Sequence, residues 1–314
     1  MLYGKYRFKC VFESDAILPP YKGSTFRGIF GHALKKVVCA LNKQECGECL
    51  LKERCIYTLV FETKHALKIP MGFRLSEPPH PFVIVPPLTQ ETHFKSGSSF
   101  DFDLLLFGEV NNNIPYFIYA FDQIGKTGIG KNINGKRGEF RLRQVETEYD
   151  TIYSDTDRNL VKTTNAGEIS LQDADCDKDS VHHMKVFLQT PLRLKFDNQL
   201  KADLPFHVLV RAMLRRISSL LAFYGGGEPS LDYRGLVKRA KNVRIIDDDL
   251  SWYDWKRYSL RQDQAMLMGG IVGEVTYEGA VNEFIPLIDF CTKTHIGKQT
   301  AFGLGKIAVE LFNE

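Results

Sequence analysis

The stretch Gly108–Lys126, GEVNNNIPYFIYAFDQIGK, and the stretch Gly273–Lys298, GEVTYEGAVNEFIPLIDFCTKTHIGK, begin with one shared tripeptide and end with another. Between Gly-Glu-Val and Ile-Gly-Lys each carries a short helical pattern, IPYFIYAFDQ in the first and VNEFIPLIDF in the second. Each is followed by a glycine-rich run, GKTGIGKNINGKRG or GKQTAFGLGK, and then by a strand pattern, EFRLRQV or IAVELF. The alternation of Phe100, Phe102, Leu104 and Leu106 puts a strand ahead of the first copy, and MLMGGIVGEVTYEG is a strand entering the second. Both Gly-Glu-Val tripeptides are therefore placed on the penultimate strand of their unit. Two landmarks in the same order around a helix indicate one unit written twice.

Outward from these stretches the order repeats. The first half begins with a strand near 3–12 and a helix from about Phe26 to Leu41, with Ser24 and Thr25 as caps. A cysteine cluster and a Pro-rich stretch (Pro78, Pro79, Pro81, Pro86, Pro87) follow. The second half begins with HMKVFLQTPLRLK as a strand, then a long amphipathic helix Phe206–Tyr224, then WYDWKRYSL as a strand. Each half reads β-α-β-β-α-β, the split βαβ order. The expected fold is α+β: two tandem ferredoxin-like (RRM-type) domains, 1–165 and 180–314, joined by an acidic, weakly periodic linker at 166–179.

At 314 residues, two ordinary cores are a better expectation than one large core. Hydrophobic content of 44% and charged content of 25% fit a soluble globular chain. No run reaches the roughly 18 apolar residues that a membrane span needs. MLYGKYRFKC alternates like a strand and lacks the apolar core of a signal peptide, which points to the cytoplasm. Of seven cysteines, Cys39, Cys46, Cys49 and Cys55 crowd one segment, a pattern of metal ligation rather than a secreted disulfide framework. The net charge of +3 names no partner. The excess of Arg211, Arg215, Arg216, Arg234, Lys238, Arg239, Lys241 and Arg244 over Glu228 and Asp232 is local, and suits phosphate or a solvated helix face.

Gly125, Gly128, Gly130, Gly135 and Gly138, and later Gly297, Gly303 and Gly305, let backbone approach a partner closely. Lys126, Lys131, Lys136, Arg137, Lys298 and Lys306 add charge for phosphate. Gly130–Lys136 spells GxxxxGK, but Arg137 stands where a P-loop needs Ser or Thr for magnesium, and a strand follows instead of a helix. Nucleotide hydrolysis is set aside. On the first helix, spacing at about 100° per residue puts Phe26, Ile29, Phe30, Ala33, Val37 and Leu41 on the core stripe. Gly28, His32, Lys35, Lys36 and Cys39 fall opposite, so His32 stands on a face with little steric cover.

The strings YKGSTFRGIFGHALKKVVC (21–39), TPLRLK (190–195) and HIGKQTAFGLGK (295–306) resemble the CRISPR-associated RAMP superfamily. Within it the chain is most similar to the endoribonucleases that process precursor CRISPR RNA. The resemblance covers both halves. GSTFRG is shared with superfamily subunits that bind RNA without processing it, and makes Arg27 an RNA-contact candidate. The resemblance implies metal-independent cleavage: a base takes the proton of a ribose 2′-hydroxyl, which attacks the adjacent phosphate and leaves a 2′,3′-cyclic phosphate. Histidine suits this because an imidazole titrates near neutral pH, and a lysine offsets the charge that develops on the phosphate. The family supplies such a histidine from this first helix. Carried over, His32 is the base or acid, with Lys35 or Lys36 assisting and Tyr21 nearby. His295, directly before the second glycine loop, is the rival, with RNA binding as its other reading.

The expected partner is repeat RNA of the precursor, with a CRISPR effector complex as a further one. The competing function is a non-catalytic guide-RNA-binding subunit of such a complex. The cluster C-x6-C-x2-C-x5-C reads as a four-cysteine structural zinc knuckle, with an iron–sulfur cluster or free thiols left open by its irregular spacing. On the long helix, His207, Arg211, Arg215 and Ser218 lie along one face, suited to the phosphates of an RNA stem.

Overall fold

The computed structural model describes residues 1–41, 44–70, 77–157, 166–171, 182–194, 202–259 and 264–313. They form two compact units, Met1–Glu168 with Phe223–Gly226, and Ile169–Ala222 with Gly227–Glu314. Residues 172–179 of the expected linker, and Lys195 of TPLRLK, lie outside the described residues. Gly167–Glu168, at the start of that linker, pair antiparallel with Leu2 and Tyr3.

The first unit contains β1 (Leu2–Phe12), α1 (Gly23–Val38), α2 (Ile56–Phe61), β2 (Phe82–Val85), β3 (Ser99–Phe107), α3 (Ile114–Thr127), β4 (Ile129–Ile133), β5 (Lys136–Gly138), β6 (Phe140–Glu146) and β7 (Thr151–Ser154). Its sheet runs β2-β3-β1-β6, with β7 added outside β6. Neighbouring strands are antiparallel throughout. This is the ferredoxin-like order, in which the α1 crossover leaves a place for β3 between β1 and β2. Both helices bury aromatic rings against the sheet. Phe30 of α1 stacks on Phe121 of α3 at 4.8 Å with planes 5° apart, and Phe121 lies 5.0 Å from Phe8 on β1. Each such buried ring contributes roughly 1.5–3 kcal/mol over its exposed state.

The second unit contains β8 (His183–Leu192), α4 (Phe206–Tyr224), α5 (Tyr233–Arg239), β9 (Arg244–Asp248), β10 (Ser251–Ser259), β11 (Gln264–Glu278), α6 (Ile285–Thr294) and β12 (Ile307–Phe312). Its sheet runs β9-β11-β8-β12, the same order again, while β10 pairs with the first half of β11 as a long hairpin. Phe206 packs edge-on against Tyr277 at 4.9 Å and Phe284 at 5.0 Å. The Tyr277 hydroxyl donates to the Leu204 carbonyl at 2.7 Å, which satisfies the polar end of a buried ring.

The duplicated architecture stands, but one landmark behind it does not. Gly273-Glu274-Val275 is inside β11, whereas Gly108-Glu109-Val110 opens a 3₁₀ turn, Gly108–Asn113, just past β3. The chain leaves the strand at Gly108 because its φ of +69° breaks the extended run. The matching features are the Ile-Pro pairs, Ile114-Pro115 and Ile285-Pro286, which start α3 and α6. Proline fits there because the first helical turn leaves its amides unpaired within the helix. The first glycine-rich run is also not a loop: it forms the β4–β5 hairpin, turned at Asn134 and Gly135 with φ of +50° and +86°. The helix α1 ends three residues before its expected limit, which leaves Leu41 past its end and 39% exposed, and its core stripe takes in Leu34, four residues after Phe30.

Candidate functional site

The helix α1 is anchored by Phe26, Phe30 and Leu34, all buried. That orientation turns His32 and Lys36, four residues apart, to solvent on one face. Gly28 lies one turn before His32, and a Cβ added there would have nothing within 4 Å, so this face is open. Lys35 is half-buried, with its Nζ 5.4 Å from the Tyr57 ring. Lys35 and Lys36 both occupy the last turn, where the helix dipole favours cations.

Two other candidates from this helix have internal roles. Arg27 is half-buried, lies over Phe61 at 5.3 Å, and its Nη2 donates to His80 Nε2 at 3.3 Å. Because arginine can only donate, His80 accepts through Nε2 and gives its Nδ1 proton to the Val60 carbonyl at 2.9 Å. Arg27 therefore ties α1 to α2 rather than presenting its charge to a partner. Burial pushes the Tyr21 phenol well above its usual range.

Lys22 was not singled out by sequence reading, yet it is fully buried at the N-terminus of α1. Its Nζ donates to the carbonyls of Pro20 (3.1 Å) and Thr89 (2.6 Å), and burial lowers its pKa. A lysine among polar neighbours in sequence carries no mark of such burial.

The cysteine segment leaves α1 at Cys39, its C-cap, and returns at Cys55, the N-cap of α2. Cys39, Cys46, Cys49 and Cys55 are all half-buried and free of disulfides. Among the described residues, no three His, Cys, Asp or Glu side chains are grouped so as to hold a metal ion as they stand. The surface charges of the hairpin and helix are distributed differently. Lys131 and Arg137 are exposed on the β4–β5 hairpin, while Lys126, at the end of α3, is ion-paired with Asp122 at 2.7 Å.

In the second unit, the end of β8 and the glycine loop are one hydrogen-bonded body. Thr190 Oγ1 donates to the Gly303 carbonyl at 2.8 Å and accepts from the Lys306 amide at 2.8 Å. The Gly305 amide donates to Pro191 at 3.1 Å, and the Lys298 amide to Arg193 at 2.9 Å. The Arg193 guanidinium donates to the Gly269 carbonyl on β11 at 2.7 Å. Gly305 has φ +73°, and a Cβ there would strike the Ile296 carbonyl. Gly303 and Gly305 are thus buried hinges of the loop and not themselves a contact surface, whereas Lys298 is exposed and Gly297 and Lys306 are half-buried.

His295 is 1% exposed and holds φ +59° and ψ 157°, a conformation reached almost only by glycine. Its Nδ1 donates to the Leu304 carbonyl at 3.0 Å, and burial lowers its pKa to about 3. The expected RNA contact is corrected: the imidazole is a neutral strut inside the loop. Arg216 is buried too, its guanidinium capping the end of α6 through the carbonyls of Thr294 (2.8 Å) and His295 (3.1 Å). Arg211 and Arg215 remain exposed on α4.

The β10–β11 hairpin adds residues that sequence reading left out. Tyr253 and Trp255 stack at 5.6 Å on one face, and Tyr253 is 37% exposed. Arg257, two residues further on, lies 4.7 Å over the Phe302 ring of the glycine loop. The alternation Tyr-Trp-Arg at every second residue was visible, but not that this strand extends past the sheet.

Comparison with known proteins agrees with this division. Residues 1–166 match the family model AF_1859_N, an N-terminal domain. Residues 186–307 match the model of the CRISPR-associated endoribonuclease Cas6. An uncharacterized protein of Archaeoglobus fulgidus is 26% identical over 211 residues, covering 67% of this chain and 66% of its own length. The fold resembles a partial Cas6-RT-Cas1–Cas2 complex at TM-score 0.61 and 11% identity, over 99% of this chain and 46% of that one. It also resembles a Thermus thermophilus Cas6 at TM-score 0.55 and 12% identity, over 98% of each chain. With the AF_1859_N model spanning more than half of its length, the chain belongs to the AF_1859_N family, and its residues 186–307 are similar to the CRISPR-associated endoribonuclease Cas6.

Proposed function

We propose that the chain binds the repeat RNA of precursor CRISPR transcripts and cleaves it without metal, with His32 as general base. The observation that carries this reading is the exposed His32, one turn after the open position at Gly28 and one turn before exposed Lys36. His32 takes the 2′-hydroxyl proton, O2′ attacks the neighbouring phosphorus, and the P–O5′ bond breaks to leave a 2′,3′-cyclic phosphate. The Lys36 and Lys35 ammonium groups offset charge on the non-bridging oxygens. The departing 5′-oxygen takes its proton from water, which reaches this solvent-facing helix surface. His295 makes a poor base beside it, since its ring is buried and its pKa lies at about 3.

Arg211, Arg215, Lys298 and Lys306 would hold phosphates, as would Lys131 and Arg137, and Tyr253 with Trp255 offers a face for unpaired bases. The chain would work in the cytoplasm; among the described residues no helix is long and apolar enough to cross a membrane. A larger CRISPR assembly is a further partner, in keeping with the Cas6-RT-Cas1–Cas2 neighbour, of which the chain spans 46%. Incubation of repeat RNA with wild type and His32→Ala in EDTA tests the proposal: cleavage by the first and not the second is expected, with equal RNA affinity.

A further inference from the structure

Along β10, Tyr253, Trp255 and Arg257 alternate onto one face of the hairpin, each about 6.7 Å from the next. Trp252 and Asp254 take the opposite face, where the indole donates to the carboxylate at 2.8 Å and both lie over Gly269. That second face satisfies itself. On the first, the Arg257 guanidinium lies 4.7 Å from the centre of the buried Phe302 ring in the glycine loop. Its Nη2 donates to the Met266 sulfur at 3.4 Å, a weak acceptor, and its buried Nε has no hydrogen-bond partner among the described residues. Arg143 and Arg239 are held by the carboxylates of Asp155 and Glu283, whereas among the described residues no ion pair reaches Arg257. Burial alone moves its pKa, and moves it downward. Taking a guanidinium out of water without an anion is costly, and the ring face offsets only part of that cost. The loop beneath Arg257 adds the exposed Lys298, whose amide is bonded to the Arg193 carbonyl at 2.9 Å.

We propose that this face of the β10–β11 hairpin binds an unpaired segment of RNA, with Arg257 on a backbone phosphate and Tyr253 and Trp255 stacked on neighbouring bases. The inference rests on the reading that the chain binds RNA, and not on His32 or on cleavage. The Arg257 Nε and its adjacent Nη form a fork that two phosphate oxygens fill, which supplies the anion that the fold does not. The weak Met266 contact is exchanged for it. Tyr253 and Trp255, with ring centres 5.6 Å apart and planes 24° apart, give bases a surface to stack on. A paired stem keeps its base faces inside its own stack, so the ligand of this face is single-stranded. Stem phosphates fall to Arg211 and Arg215 on α4, and the unpaired flank falls to the hairpin.

The chain has two tryptophans, Trp252 and Trp255, so Trp252→Phe in the full chain leaves Trp255 as its single reporter. Titration at low salt with an unstructured oligouridylate of about eight nucleotides should quench that fluorescence to a plateau and shield it from acrylamide. Tyr253→Leu and Arg257→Gln, each in the same background, should raise the midpoint about tenfold. Arg257→Lys should recover little of this, because a point charge does not replace the fork. A blunt RNA duplex should bind Arg257→Gln as it binds wild type. Absence of quenching while repeat RNA still binds would overturn this site and leave the RNA reading standing. Failure of every RNA to bind would sink both. Equal loss of oligouridylate and duplex affinity in Arg257→Gln would overturn the single-strand assignment. If Arg257→Gln does not fold, the Trp252→Phe chain decides alone. Shielding of Trp255 by oligouridylate and not by duplex supports the proposal, and shielding by neither or by both contradicts it.

Discussion

The hydroxyl of Thr190 donates to the Gly303 carbonyl and accepts from the Lys306 amide, both at 2.8 Å, so one side chain fastens β8 to both ends of the final glycine turn. Two strings of sequence more than a hundred residues apart, TPLRLK and HIGKQTAFGLGK, are therefore parts of one structure. Thr190→Val keeps the shape but leaves a buried carbonyl and an amide without this partner. It should destabilise the second unit by about 2 kcal/mol. Thr190→Ser should recover most of that in chemical denaturation. An unchanged midpoint in Thr190→Val would show that the loop is held by its glycines alone.

His295 gives the chain an acid sensitivity with a defined direction. Its pKa is lowered to about 3 in the fold, while the unfolded imidazole titrates near 6.5. Between those values the unfolded state binds a proton that the native state does not, so stability is full above about 6.5 and falls as the pH drops toward 3. The slope approaches about 1.4 kcal/mol per pH unit. Denaturation series at several pH values should show this slope in wild type and lose it in His295→Gln. RNA cleavage at neutral pH should survive in that variant as far as it stays folded.

Arg211 and Arg215 are exposed on α4, whereas Arg216 is consumed as the cap of α6. Arg211→Ala with Arg215→Ala should weaken RNA binding without loss of Tm, and should lower the slope of log affinity against log salt by about 2. Arg216→Met should do the reverse, costing about 3 kcal/mol of stability because the buried Thr294 and His295 carbonyls lose a charged donor. Filter binding over a salt series and thermal melts separate the two effects.

Much of the fold was legible because it rests on periodicity. The span Phe206–Tyr224 was read to the residue, since its apolar stripe is continuous and ends before Gly225-Gly226-Gly227. The repeated tripeptides pointed to the right duplication through one wrong correspondence, because Gly108 has left its strand while Gly273 has not. The strand β2 was lost among prolines, although its FVIV is buried at all four positions. Site residues were harder, since exposure depends on contacts distant in sequence. Helical phase puts Arg216 between the buried Met213 and Leu220 and Arg215 on the exposed face, but the carbonyls 78 and 79 residues away that Arg216 caps are not visible in the chain. The burial of His295 and the contact of Arg27 with His80 likewise depend on residues distant in sequence, whereas the exposure of His32 followed from helical spacing.

Lys22 predicts a pH response of the same sign as that of His295, in a higher range. Burial lowers its pKa, so the native state releases its proton before the unfolded chain does, and stability should rise with pH toward the ordinary lysine value near 10.5. Lys22→Met should flatten that rise, and should cost about 1–3 kcal/mol near neutral pH because the carbonyls of Pro20 and Thr89 lose their donor.

The role of His32 is decided by single-turnover cleavage of a cognate repeat RNA in EDTA, with the thermal melt of each variant measured alongside. Wild type and His295→Gln should cut and leave a 2′,3′-cyclic phosphate. His32→Ala, with its fold and its RNA affinity unchanged, should cut at least 100-fold more slowly, within the range of about 10²–10⁴ that general acid–base catalysis supplies. Cleavage by His32→Ala at the wild-type rate would contradict the account.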